Sequence, residues 1–161
     1  MEQKEIIGYE EARAVLTAVH DRVLQELSEG KEETACSVAV VDDRGDLLAV
    51  MRMDGVASQT VYYAIKKARS AAMTRRDTRK QKELFERTGW QHADFGDFIT
   101  TVPGGIIITK PGVSRERKAG KKGPEVYGGI GCSGRSADGD ELLAFVGLYA
   151  IQKACWGQAD G

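Results

Sequence analysis

The stretch SVAVVDDRGDLLAVMRMDG, residues 37–55, decides the fold. The segment from Cys36, just before it, to Val41 is short and β-branched, and the segment from Leu47 to Met53 is again apolar. Between them Asp42-Asp43-Arg44-Gly45 supplies the residues that let a chain reverse, because Asp bonds its own backbone and Gly tolerates positive φ. The pattern predicts a β-hairpin.

Working outward, Ala12, Val15, Leu16, Val19, Val23 and Leu27 recur at helical spacing, which predicts an amphipathic helix over about 9–29, stopped at Gly30. After the hairpin, Val61, Ala64, Ile65, Ala68, Ala71 and Ala72 mark one face of a helix from Thr60 to about Arg75, small enough to pack closely. Thr78 followed by Gln81 fits a capping box for a second helix reaching Arg87 and ending at Gly89. Trp90 to Phe98 lacks periodicity and leads through Pro103-Gly104-Gly105 to a strand at Ile106–Ile108. Residues 110–123 hold six cations against one acid, which predicts an exposed, mobile loop. A last strand, Val126 to Cys132, precedes a helix capped by Asp138 and Glu141, with Leu142, Leu143, Val146 and Ala150 inward. The order is αββααββα. Short connections between neighbouring strands predict an antiparallel sheet with packed helices, an α+β arrangement, in one domain over residues 1–161.

Composition narrows the function. A formal charge of -1 argues against a general nucleic-acid coat, which needs surplus Lys and Arg to displace counterions. Three scattered cysteines, Cys36, Cys132 and Cys155, match neither a disulfide framework nor a CxxC metal site and suit a reducing compartment. The amino terminus is charged where a signal peptide is apolar, and no apolar run is long enough to span a bilayer, so a soluble cytoplasmic protein is expected.

Gly129 to Gly134 matches GxGxxG, yet a dinucleotide unit needs a further parallel strand with an acid about 20 residues on, and the residues beyond Gly134 read as a single terminal helix. A tight strand-to-helix turn whose N–H groups could cradle an anion is the better reading. His20 and His92 are the two histidines. His20 reads as a boundary or surface residue. His92 lies in Trp90-Gln91-His92-Ala93-Asp94-Phe95, where aromatic neighbours and Asp94 could orient an imidazole. Arg52, Asp54 and Lys67 fall where a strand end and a helix could converge on a pocket, and an Arg–Lys pair suits a carboxylate.

Residues 37–55, 64–72 (AIKKARSAA) and 128–134 (GGIGCSG), with Pro103-Gly104-Gly105, together resemble the HbpS-like and GlcG-like family, which includes the carboxy-terminal domain of PduO. The resemblance implies a five-stranded antiparallel sheet flanked by helices and homo-oligomers reaching octamers in some members. It also implies binding of heme, a corrinoid or another small ligand. Residues 90–98 and 110–123 depart from the common pattern. A resemblance to lyases of the 4-hydroxylaminobenzoate kind is also present.

Two functions are expected on these grounds. One is a small-molecule-binding oligomer whose flat, anionic ligand meets Arg52, Lys67, Trp90, Phe95, Gly104 and Gly105, with heme as the cofactor the resemblance implies and no metal site of the chain's own. The other is a cofactor-independent lyase or isomerase for a small aromatic acid, with Arg52 or Lys67 holding the carboxylate and Asp54, His92 and Asp94 moving protons. A purely structural or regulatory oligomer is a third class. Neither nucleic acid nor membrane is an expected partner.

Overall fold

A computed structural model describes residues 6–31 and 34–161. The elements are α1 (Tyr9–Ser28), β1 (Ser37–Asp42), β2 (Leu47–Arg52), α2 (Gln59–Thr74), α3 (Thr78–Thr88), a 3-10 turn (His92–Asp94), β3 (Gly105–Ile108), β4 (Gly128–Ser133) and α4 (Ala137–Trp156). The 3-10 turn is an insertion the expected order did not contain. The charged residues 1–5, on which the signal-peptide argument rests, lie outside the described residues.

Among the described residues the sheet has four strands in the order β2-β1-β4-β3, every pair antiparallel, which corrects the expected five. The reason is visible at the outer edge of β3, where side chains take up the backbone groups that another strand would use. Ile107 N donates to Asp77 Oδ1 at 2.8 Å, and Arg115 Nη2 donates to the Ile107 carbonyl at 2.6 Å. Gly105 N donates to Thr78 Oγ1 at 3.1 Å, and the same hydroxyl donates to the Gly105 carbonyl at 3.3 Å. Buried backbone groups must be paired, and here helix and loop side chains do it.

Side chains alternate across the sheet. Val38, Val40, Ile106, Ile108, Ile130 and Cys132 face α1 and α4 in the main core, whereas Ala39 and Val41 face Ala64, Ala68 and Ala72 of α2. Two glycines of the GxGxxG stretch, Gly129 and Gly131, belong to β4, and the third, Gly134, with φ +138, lies in the short turn that joins β4 to α4. A Cβ on Gly129 would stand 2.2 Å from the Ala68 carbonyl, and one on Gly131 would stand 2.0 Å from that of Ala64. Bare glycine and alanine surfaces therefore let α2 lie directly on β4.

On the other face α1 buries Ala12, Val15, Val19 and Val23. Each buried valine contributes about 1.5–3 kcal/mol of apolar transfer. Leu27, expected inward, is exposed, and Glu26 takes the buried position through an ion pair with Arg135 at 2.7 Å. In α4 the buried face runs through Leu143, Leu148 and Ile151, while Leu142 is exposed. Gly147 is what allows α1 and α4 to approach, since a Cβ there would meet Val15 at 2.6 Å.

Two helix starts also differ from expectation. The residue preceding α3 is Asp77, and Thr78 turns inward to Gly105. Ser136 caps α4 by accepting from Gly139 N, while Asp138 and Glu141 both hold Arg79. Residues 110–123 form no regular element, yet they are tied to the body. Arg115 pairs with both Asp77 oxygens at 2.7 and 3.1 Å, and Arg117 donates to the Thr74 carbonyl. No described helix is long and apolar enough to cross a membrane.

Candidate functional site

Strand β3 begins at Gly105, so near that end of the sheet the Cys132 carbonyl lies beyond the regular ladder; Cys132 N still donates to the Gly104 carbonyl at 2.9 Å. Lys67, from α2 on one side of the sheet, reaches this point. Its Nζ donates to the Cys132 carbonyl at 2.9 Å and to Asp140 Oδ2 of α4 at 2.9 Å. Gly104 and Gly105 make room for the crossing. A Cβ on Gly104, which has φ +124, would come within 3.0 Å of Lys67 Nζ, and one on Gly105 would strike the Lys67 carbonyl at 2.3 Å.

Both members of this pair are buried. Asp140 also accepts from Arg135 N at 2.8 Å. Burial pushes the Asp140 carboxyl above its ordinary value, against the lowering effect of the Arg135 N–H and the Lys67 ammonium. The pair borders a cavity of about 320 Å³ whose wall includes Lys66, Thr100, Val102, Ser133 and Ala137 at the start of α4. That volume falls at the lower end of the range typical of small-molecule sites.

The structure thus brings Lys67, Gly104 and Gly105 together, and adds Asp140. A second group forms on α3. The Phe85 ring stacks on Phe95 with centroids 5.3 Å apart, meets His92 edge-on at 5.3 Å, and meets Trp90 at 6.5 Å. His92 Nε2 lies 3.2 Å from Thr101 Oγ1, and Thr101 sits between two residues of the cavity wall, Thr100 and Val102. Asp94 bonds its own turn by accepting from Gln91 N at 3.2 Å. His92 and Asp94 are both exposed.

Arg52 and Asp54 belong to neither group. Arg52 donates to the Val56 carbonyl at 2.8 Å, Asp54 is exposed in the turn after β2, and neither borders the cavity. The sheet register nevertheless puts Arg52, Ser37 and Ser133 in one row, which sets Arg52 roughly 10 Å from Ser133 across two strand spacings. His20 sits on α1 beside Asp21 at 3.4 Å.

Sequence reasoning passed over Asp140, Ser133 and Thr100. Asp140 carried one legible signal: with Asp138 and Glu141 it makes a third acid at the start of α4, more than a helix terminus requires.

This architecture has known counterparts, and the pattern that defines the family described as "Haem degrading protein HbpS-like" matches residues 7–148. The chain belongs to the HbpS-like family. Protein GlcG of Escherichia coli K12 is 32% identical to this HbpS-like chain over 114 residues, covering 70% of the chain and 78% of GlcG. Among solved structures, Klebsiella pneumoniae protein ORFY superposes with a TM-score of 0.72 at 21% identity, covering 94% of each chain. A double-mutant form of Streptomyces reticuli HbpS gives 0.68 at 26% identity, over 92% of this chain and 88% of that one. A PduOC–heme complex gives 0.70 at 18% identity, over 91% of this chain and 95% of that one.

Proposed function

We propose that this HbpS-like chain binds a small, flat, anionic molecule at the cavity beside Lys67, and that heme or another tetrapyrrole is its ligand. The observation that carries the reading is the cavity itself, with cations on its wall and an aromatic group containing His92 next to it. Heme is the group that the family description and the PduOC complex name for relatives. The residues here fit it. His92 is exposed, and its Nδ1 has no hydrogen-bond partner among the described residues. Trp90 and Phe95 offer apolar ring surface, and Lys66 offers an ammonium without a carboxylate partner among the described residues. Bound heme would supply redox chemistry; His92 would face its iron and Lys66 its propionates.

Assembly into homo-oligomers, up to octamers, belongs to the same proposal. Exposed Tyr62, Tyr63, Trp90 and Val102 give apolar surface for it. A cytoplasmic setting belongs to it too, supported by the number and spacing of the cysteines. Titration with hemin tests the ligand. A Soret displacement that weakens in His92→Ala is expected, and its absence in the unaltered protein removes heme from consideration. Native mass spectrometry reads the oligomer.

A second reading is favoured by the ammonium–carboxylate pair at the cavity wall. A space of about 320 Å³ suits a single aromatic ring, and Asp140 is held toward its protonated form by burial. This supports a lyase or isomerase for an aromatic acid such as 4-hydroxylaminobenzoate, with Lys67 on the carboxylate and Asp140 in the proton-transfer role that Asp54, His92 and Asp94 were expected to share. Positioned acid–base groups supply roughly 100- to 10,000-fold acceleration. If the protein does not consume 4-hydroxylaminobenzoate, or Asp140→Asn leaves turnover unchanged, this reading fails.

A further inference from the structure

The cavity wall carries donors that no protein group takes up among the described residues. The Lys67 ammonium has three N–H donors, of which the Cys132 carbonyl and Asp140 use two. Lys67 is 5% exposed and borders the cavity, so its third donor has no protein acceptor among the described residues. Ser133 is 6% exposed, borders the same cavity, and its hydroxyl has no partner among the described residues. Thr100 Oγ1 accepts from Val102 N at 3.2 Å, which leaves its O–H to give. Ala137 brings the first turn of a 20-residue helix to the wall, with the positive end of its dipole.

Each carboxylate and carbonyl oxygen at the wall already takes one donor. Asp140 Oδ1 takes Arg135 N, Oδ2 takes Lys67, and the Cys132 carbonyl takes Lys67 as well. The Arg135 guanidinium is held by Glu26 at 2.7 Å and by the Thr34 carbonyl at 2.7 Å. A carboxylate brings acceptors alone and the charge that the Lys67 ammonium attracts, whereas a neutral amide brings no charge and turns half of its polar surface to donors that the ammonium cannot meet.

We infer that the wall formed by Lys67, Ser133, Thr100 and the start of α4 is a carboxylate subsite, with Lys66 at its mouth. This rests on the proposal that the cavity is the ligand site. The carboxylate is either a tetrapyrrole propionate, the macrocycle lying outside across the His92 group, or the acid of a single-ring ligand held whole. The chemistry at the subsite is the same in both.

The test is calorimetric titration with sodium benzoate and with benzamide. Lys67 is left in place, because it also holds the fold, and Ser133→Ala and Lys66→Gln are the variants. Benzoate is expected to bind and benzamide not to. Ser133→Ala should weaken benzoate about tenfold through the loss of one charge-assisted bond, and Lys66→Gln several-fold with a shallower salt dependence. Equal binding of benzoate and benzamide, or unchanged benzoate binding in Ser133→Ala, overturns the subsite whatever hemin does. Benzoate binding as expected, with no Soret displacement by hemin, supports the subsite and removes the heme reading alone. Competition by hemin but not by its dimethyl ester supports the subsite with a propionate in it. Benzoate binding without hemin competition supports it with a small aromatic acid.

Discussion

Lys67 Nζ and Asp140 Oδ2 stand 2.9 Å apart although their helices, α2 and α4, pack on opposite faces of the sheet. The contact passes the end of β3, where Gly104 and Gly105 leave the space for it.

Breaking one side of this buried pair leaves the other charge without compensation. Lys67→Met or Asp140→Ala is expected to cost about 3–5 kcal/mol in urea unfolding, and the double variant Lys67→Met, Asp140→Leu much less than the sum. A double-mutant cycle measures the coupling.

The raised carboxyl of Asp140 fixes a pH trend. The folded state holds this proton more tightly than the unfolded chain, so its contribution is present at low pH and is lost as pH rises from about 4 through the raised value. Unfolding free energies of the unaltered protein and Asp140→Asn, measured across that window, should therefore shift in favour of the variant as pH rises. A parallel pair of curves would contradict this.

Gly131→Ala puts a methyl group where the Ala64 carbonyl stands, at 2.0 Å, so α2 must lift off β4. The expected loss is at least about 1–3 kcal/mol, the range of overpacked cores. Gly112→Ala meets nothing within 4 Å and is strained only by its φ of +77, so about 1 kcal/mol is expected there. Thermal melts distinguish the two.

Removing Arg115 frees one β3 carbonyl and one loop together. In Arg115→Ala the Ile107 carbonyl loses its donor and Asp77 loses its guanidinium while keeping the Ile107 N–H, at an expected cost of about 2–3 kcal/mol. Hydrogen exchange should accelerate along β3, and residues 110–123 should become a protease target.

Thiol reactivity should divide the cysteines. Cys36 and Cys132 are buried, whereas Cys155 is half-buried. A hydrogen bond from Cys132 holds the Cys36 thiol below its ordinary value, and the same contact with burial holds Cys132 well above. Titration with Ellman's reagent is expected to find about one reactive thiol in the native protein and all three after denaturation.

The hairpin was readable because its information is local. Asp42 Oδ1 accepts from Arg44 N and Asp46 N, and Gly45 takes φ +88, which is what the residue types imply. Helix α1 was readable from its period and α3 from its stop at Gly89. The starts of α3 and α4 were misread because Thr78 and Asp138 have partners far along the chain, Gly105 and Arg79, that outrank local capping. The Lys67–Asp140 contact joins residues 73 apart in sequence. No spacing rule reaches that far; a lysine beside alanines on α2 pointed inward, but nothing local named what it would meet. The sheet width was misjudged because it came from resemblance, whereas Asp77, Thr78 and Arg115 occupy the edge in this chain.

That occupied edge gives the sheet a direction. With β3 sealed by side chains and β2 flanked by no strand among the described residues, the sheet can be extended from one side alone. Two copies meeting β2 to β2 would use both open edges at once, so growth by strand addition stops at a pair. Any larger ring must be built through helices and loops, and the chain carries its own guard against fibres.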